Sequence, residues 1–190
     1  MVYTCTDEEI VAKFAMELAE HYAELAKRLI DAGADAILIG DDIAYNSGTF
    51  ISPEIMREIF FPALRHEVEC IKKYKDIPVF MHTDGDLRRV MDDIVGAGFD
   101  GLQSLQPTAN MDIRDLKARY GEKLCLMGNI DINEVLPFAD EETVRRVVRE
   151  TIDVGIKGSG YILSTCNILT RDVPLRNAVA MYDEAEKYQL

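Results

Sequence analysis

Apolar positions in this chain switch between two spacings. From Ile10 to Leu29 they recur at helical intervals (Ile10, Phe14, Leu18, Tyr22, Leu25, Leu29). The preceding Thr6-Asp7-Glu8-Glu9 reads as a capping box with Thr6 as the cap, and Gly33 supplies a left-handed stop. Ala36-Ile37-Leu38-Ile39-Gly40 is then apolar throughout and too short for a helix, which predicts a buried strand. The two spacings go on alternating. Ser52 caps and Pro53 opens a helix reaching about Tyr74, and Pro78 to His82 is the next strand. Leu87, Val90, Met91 and Ile94 mark a helix stopped by Gly96 and Gly98. A strand over Gly101 to Leu105, a helix over Asp112 to Tyr120 and a strand over Lys123 to Met127 follow. Asp140 caps a helix bearing Val144, Val147, Val148 and Ile152; Gly160 to Leu163 is the fifth strand, and Pro174 opens a last helix to about Tyr188.

Strict alternation of helix and strand implies an α/β fold with parallel strands and right-handed crossovers. Asp31-Ala32-Gly33-Ala34-Asp35 and Gly96-Ala97-Gly98-Phe99-Asp100 are two copies of the same helix-to-strand joint. The expected architecture is a (βα)8 barrel of the TIM type with only about five βα units present, forming one domain over residues 1–190. A closed barrel has eight strands and typically ~250 residues. The chain opens on a helix, so a partial barrel lacking its N-terminal strands is expected. Its exposed sheet edges predict either a homo-oligomer or association with the missing barrel segment.

Composition narrows the function. A net charge of −13 excludes nucleic acid as a partner, because that binding is driven by basic side chains displacing phosphate counterions. No apolar run approaches the ~20 residues of a membrane span, and the start lacks a signal-peptide pattern, so a cytoplasmic protein without membrane contact is expected. The four cysteines (Cys5, Cys70, Cys125, Cys166) show no Cys-x-x-Cys spacing and read as reduced thiols. His66 and Cys70, four apart on one helix, lack a third ligand nearby in sequence.

Every strand turns polar where it ends: Asp41 and Asp42, then His82-Thr83-Asp84-Gly85-Asp86, Gln103, Asn129 with Asp131, and Cys166 with Asn167. In a barrel of parallel strands these ends converge on the face that carries chemistry, for a small-molecule substrate. His82 and Asp84, two apart, point to one side. Imidazole, carboxylate and the Cys166 thiolate would make a three-ligand zinc site with a fourth position open. A metal-free polar pocket is the alternative: His82 bonding across the mouth, Asp41 and Asp42 capping loops, Gly128-Asn129 forming a tight turn.

With these segments in this order, the sequence resembles the uroporphyrinogen decarboxylase superfamily, which includes cobalamin-dependent methyltransferases. The resemblance rests on Gly40-Asp41-Asp42, Ile51-Ser52-Pro53-Glu54, His82-Thr83-Asp84-Gly85-Asp86, Gly128-Asn129-Ile130-Asp131, Gly160-Tyr161-Ile162-Leu163 and the closing Pro174 to Tyr182 segment. It implies a (βα)8 barrel. The methyltransferase branch holds zinc with a His-x-Cys pair and a later cysteine; His82 and Cys166 match the outer members, while Asp84 stands where a cysteine is expected. The resemblance thus implies methyl transfer between a small substrate and a corrinoid on a partner protein. His82, Cys166 and Asp84 would be the metal ligands. Asp41, Asp84, Asn129 and Asp131 would be catalytic, and Asp42, Gln103 and Asn167 would bind substrate. The decarboxylase branch uses no metal and binds porphyrinogen carboxylates through arginines, whereas many arginines here lie in helices (Arg57, Arg65, Arg145, Arg146). A non-catalytic half-barrel that binds a partner is the third possibility.

Overall fold

The computed structural model describes residues 3–158 and 160–188. Helices α1 (Tyr3–Thr6) and α2 (Glu8–Asp31) lead into strand β1 (Ile37–Gly40). A small hairpin follows, β2 (Ala44–Tyr45) and β3 (Gly48–Thr49), and then α3 (Pro53–Ile55) and α4 (Phe61–Tyr74). The remaining units are β4 (Val79–Thr83), α5 (Met91–Gly96), β5 (Gly101–Ser104), α6 (Ile113–Tyr120), β6 (Cys125–Ile130), α7 (Val135–Phe138), α8 (Glu141–Gly155), β7 (Tyr161–Thr165) and α9 (Leu175–Ala185).

Five of the strands form one parallel sheet in the order β1-β4-β5-β6-β7, the partial barrel expected from the alternation, and β2 and β3 pair separately and antiparallel. Side chains of Val79, Met81, Leu102 and Leu126 point to the helices and are fully buried against Val68, Ile71, Met91 and Ile94. A second cluster (Ile130, Leu136, Val144, Val148, Met181) packs under α8 and α9. The register aligns Gly40, His82, Gln103, Met127 and Ile162 in one row across the sheet. By strand alternation that row faces the barrel interior. Ile162 is 43% exposed and Leu38, one step below Gly40 in the same face, 54%, because five strands leave that interior open.

Several local expectations change. Asp7, not Thr6, caps α2, its carboxylate accepting from the Ile10 amide at 3.4 Å, while Thr6 closes the one-turn α1. The helix from Pro53 widens into a π turn over Met56–Phe60 before α4. Pro62 explains this: it has no N–H and its ring crowds the carbonyl four residues back, so Phe61 reaches back to the Met56 carbonyl. The apolar stripe of α2 does not enter the core. Ala19, Ala23, Ala26 and Ile30 do, while Phe14, Tyr22, Leu25 and Leu29 remain 60%, 50%, 45% and 48% exposed. No described element lies over the stripe side, and the small alanines let α2 settle onto α4. No described helix is long and apolar enough to cross a membrane. Cys70, Cys125 and Cys166 are free thiols; the Cys5 side chain lies outside the described residues.

Candidate functional site

The polar strand ends gather above β1, β4 and β5. Asp42, His82 and Asp84 each offer a ligand atom, all within 4.8 Å of one another, forming the one such metal-capable group among the described residues. The strands set this up. Gly40 pairs with His82, so Asp42 at the end of β1 lies beside it, with Asp42 Oδ1 3.8 Å from His82 Nε2. Asp42 Oδ1 also accepts the Asp84 amide at 3.1 Å. His82 pairs in register with Gln103, whose Oε1 meets His82 Nδ1. Gln103 is held in turn, its amide donating to the Thr165 carbonyl at 3.2 Å. The ring is thereby oriented with Nε2 facing Asp42. Asp84 is fixed from two strand ends: Ser104 Oγ donates to Oδ1 and Asn167 Nδ2 to Oδ2.

A tight turn carries this group. Thr83, fully buried, accepts the Ile43 amide at 3.0 Å, tying the end of β4 to the loop after β1. Gly85 has φ +92, and a Cβ there would lie 2.5 Å from the Tyr45 nitrogen. Only glycine lets the β2–β3 hairpin close so tightly on the site loop. Asp86 donates its amide to the Tyr45 carbonyl at 2.9 Å, and its carboxylate is bound by Arg88 at 2.6 Å, which holds its pKa below the ordinary carboxylate value.

The other expected residues fall elsewhere. Asp41 turns to the opposite side of β1 from Asp42; burial, then the Asp42 charge, raises its carboxyl pKa. Asn129, at φ +70, donates to the Leu105 and Met111 carbonyls at 2.6 and 2.7 Å. Asp131 accepts the amides of Asn133, Glu134 and Val135 at 2.9–3.2 Å. Both are occupied in holding backbone at the end of β6. They line a separate cleft of about 560 Å³ with Thr108, Asp112 and Glu134. Cys166 is 1% exposed and its sulfur is not in the Asp42–His82–Asp84 group; burial chiefly pushes its thiol up to about 11. His66 Nε2 lies 3.6 Å from Cys70 Sγ and 3.9 Å from Glu20, joining α4 to α2 rather than completing a metal group.

Sequence reasoning missed Ser104 as the clamp on Asp84, and Glu67. Glu67 sits on α4 at 5% exposure, and its pKa rises to about 7, first through burial and then through Asp41. The signal was available: Ala63, Leu64, Glu67, Val68 and Ile71 share one helical face.

A partial parallel barrel with a polar, metal-capable cluster at the C-terminal ends of its strands defines the class of protein. The sequence pattern of the uroporphyrinogen decarboxylase family matches residues 1–188, and the chain belongs to that family. It is 27% identical over 162 residues to a uroporphyrinogen decarboxylase of Pseudoalteromonas atlantica, covering 84% of this chain and 43% of that protein. With a uroporphyrinogen decarboxylase of Chlorobium phaeovibrioides it shares 33% identity over 103 residues, 54% of this chain and 27% of that one. The chain thus spans less than half the length of these relatives. A methyltransferase from Methanosarcina mazei has the same fold, with a TM-score of 0.83 over 98% of this chain and 52% of its own, at 20% identity.

Proposed function

We propose that the chain carries the metal-binding part of a methyltransferase-type site, in which Asp42, His82 and Asp84 hold a zinc ion. The supporting observation is the convergence of these three groups from two strand ends, with His82 Nδ1 already engaged by Gln103. A ligating histidine normally has its second nitrogen fixed by such a partner. One imidazole and two carboxylates suit zinc and leave a fourth position for substrate. Bound there, zinc supplies Lewis acidity or lowers the pKa of a coordinated thiol. The chain's own residues do the positioning. Gln103 fixes the ring, and Ser104 and Asn167 hold the Asp84 carboxylate. Cys166 stays protonated near neutral pH in its buried setting. The methyl group would pass between a small substrate and a corrinoid on a partner protein approaching the C-terminal face of the sheet.

Elemental analysis of untagged protein tests this. Near-stoichiometric zinc is expected, retained in Cys166→Ala and lost in His82→Ala. Zinc-free protein, even after zinc is added back, would overturn it. A metal-independent decarboxylase is the second reading, favoured by the decarboxylase names of the curated relatives. Against it, Arg88, the first arginine after the His82–Asp86 site loop, is ion-paired to Asp86, where a polycarboxylate substrate needs a free cation. Tight binding of uroporphyrinogen by the zinc-free protein would favour the decarboxylase reading.

A further inference from the structure

The cleft of about 560 Å³ beside Asn129 and Asp131 is walled by the start of α6 on one side and the middle of α8 on the other, with the end of β6 between them. Its size suits a small organic molecule. Two polar groups inside it lack partners. Thr151 is 6% exposed, reaches the cleft from α8, and its hydroxyl has no hydrogen-bond partner among the described residues. Asn129 is equally buried. Its Nδ2 is spent on the Leu105 and Met111 carbonyls, which leaves Oδ1 an acceptor without a donor among the described residues. The Thr108 hydroxyl, by contrast, accepts from Gln106 and Asn133, each at 3.0 Å. Buried polar groups normally find a partner. An amide oxygen can only accept, so the missing partner is a donor.

Charge points the same way. Four carboxylates (Asp112, Asp131, Glu134, Glu150) line the cleft against the one guanidinium of Arg114, which itself turns to Asp112 at 3.8 Å. Glu134 has no ion pair among the described residues, and Glu150 pairs with Arg146 at 3.2 Å. These carboxylates do not converge as metal ligands do: the metal-capable group among the described residues is the one at His82. Ile113, Val135 and Val147 add an apolar wall. Dispersed negative charge beside apolar surface fits an aliphatic cation better than a metal ion. We propose that this cleft binds an aliphatic diammonium ion. Its N–H groups donate to Thr151 and Asn129 Oδ1 inside the cleft and to Glu134 and Glu150 at its mouth, and its methylene chain lies on the apolar wall. The site does not depend on the zinc reading, because none of Asp42, His82 and Asp84 lines this cleft.

Isothermal titration calorimetry of the untagged chain with putrescine tests this. Butylamine, butanediol and succinate serve as the probes with a single positive charge, no charge and reversed charge. Putrescine should saturate a single site, butylamine should bind more weakly, and butanediol and succinate should give no saturable heat. Thr151→Val keeps the side-chain shape and removes the hydroxyl; it should weaken putrescine about tenfold with circular dichroism unchanged. Glu134→Gln, at an exposed position where folding is not at stake, should weaken it as well. Arg114→Ala removes the like charge and should tighten it, whereas a ligand held by that guanidinium would be lost. Putrescine should bind His82→Ala as it binds the wild type, which separates this site from the zinc cluster. Wild-type affinity in both Thr151→Val and Glu134→Gln, or succinate binding in place of putrescine, would overturn the proposal. So would the absence of saturable binding, or heat spread over several sites per chain, which would reflect only the general acidity of the surface.

Discussion

At the scale of single residues, two polar side chains at strand ends illustrate opposite uses. Gln103 and Asn129 both stand near the C-terminal ends of neighbouring strands, and sequence alone gives them equal claim to chemistry. The structure separates them by partner: Gln103 meets the His82 ring, Asn129 two main-chain carbonyls. Gln103→Ala should lower zinc affinity about 10–100-fold, as loss of a ligand's orienting partner does, with little change in stability. Asn129→Ala should do the reverse. It leaves two buried carbonyls without donors and costs about 2 kcal/mol or more, while zinc affinity stays near wild type. Competition titration with a chelator and urea unfolding on both variants check the pair; a zinc defect in Asn129→Ala would return that residue to the site.

Between elements, the joint of α8 and α9 depends on one acidic residue. Glu184 is 3% exposed and receives Arg149 at 2.9 Å, Arg145 at 3.6 Å and Lys187 at 2.6 Å. Hydrogen bonds from Lys187 and Arg149 pull its pKa from 4.5 down to about 2. A folded-state pKa below the unfolded one means that the unfolded chain binds more protons between these two values. Stability from Glu184 is therefore fully present above about pH 4.5 and drains away as pH falls toward 2. The cations are partly exposed, so solvent screening limits the effect of Glu184→Gln at neutral pH to about 1 kcal/mol. Its urea midpoint should converge on that of the wild type as pH is lowered through that window. A constant gap down to the lowest pH would show that packing, not charge, accounts for the loss.

Across the whole molecule, the decisive feature is an arc of five parallel strands with one edge at β1 and the other at β7. Strands inside the arc are bonded on both sides and covered by helices. In the free chain the Leu38 and Gly40 amides should therefore exchange with solvent far faster than those of Met81, Leu102 and Leu126, which are fully buried. Hydrogen exchange read by NMR checks this; uniform protection across β1 and β4 in the free chain would mean that the edge is already covered.

Much of this was readable from the sequence. The short apolar runs predicted the five strands of the main sheet, and the polar residues at their ends predicted the neighbourhood of His82 and Asp84, because period and strand alternation are local properties of the chain. Partnership was not. Asp41 and Asp42 are adjacent in sequence, yet β1 sends one toward Glu67 and the other toward His82. The fate of Asn129 and Asp131 depended on carbonyls and amides that only a folded turn brings within reach. The stripe on α2 announced an apolar face but not what would cover it. A hydrophobic period records that a surface is to be buried, whereas the identity of the covering surface is set by contacts between segments far apart in the chain. Those contacts exist only in the tertiary structure.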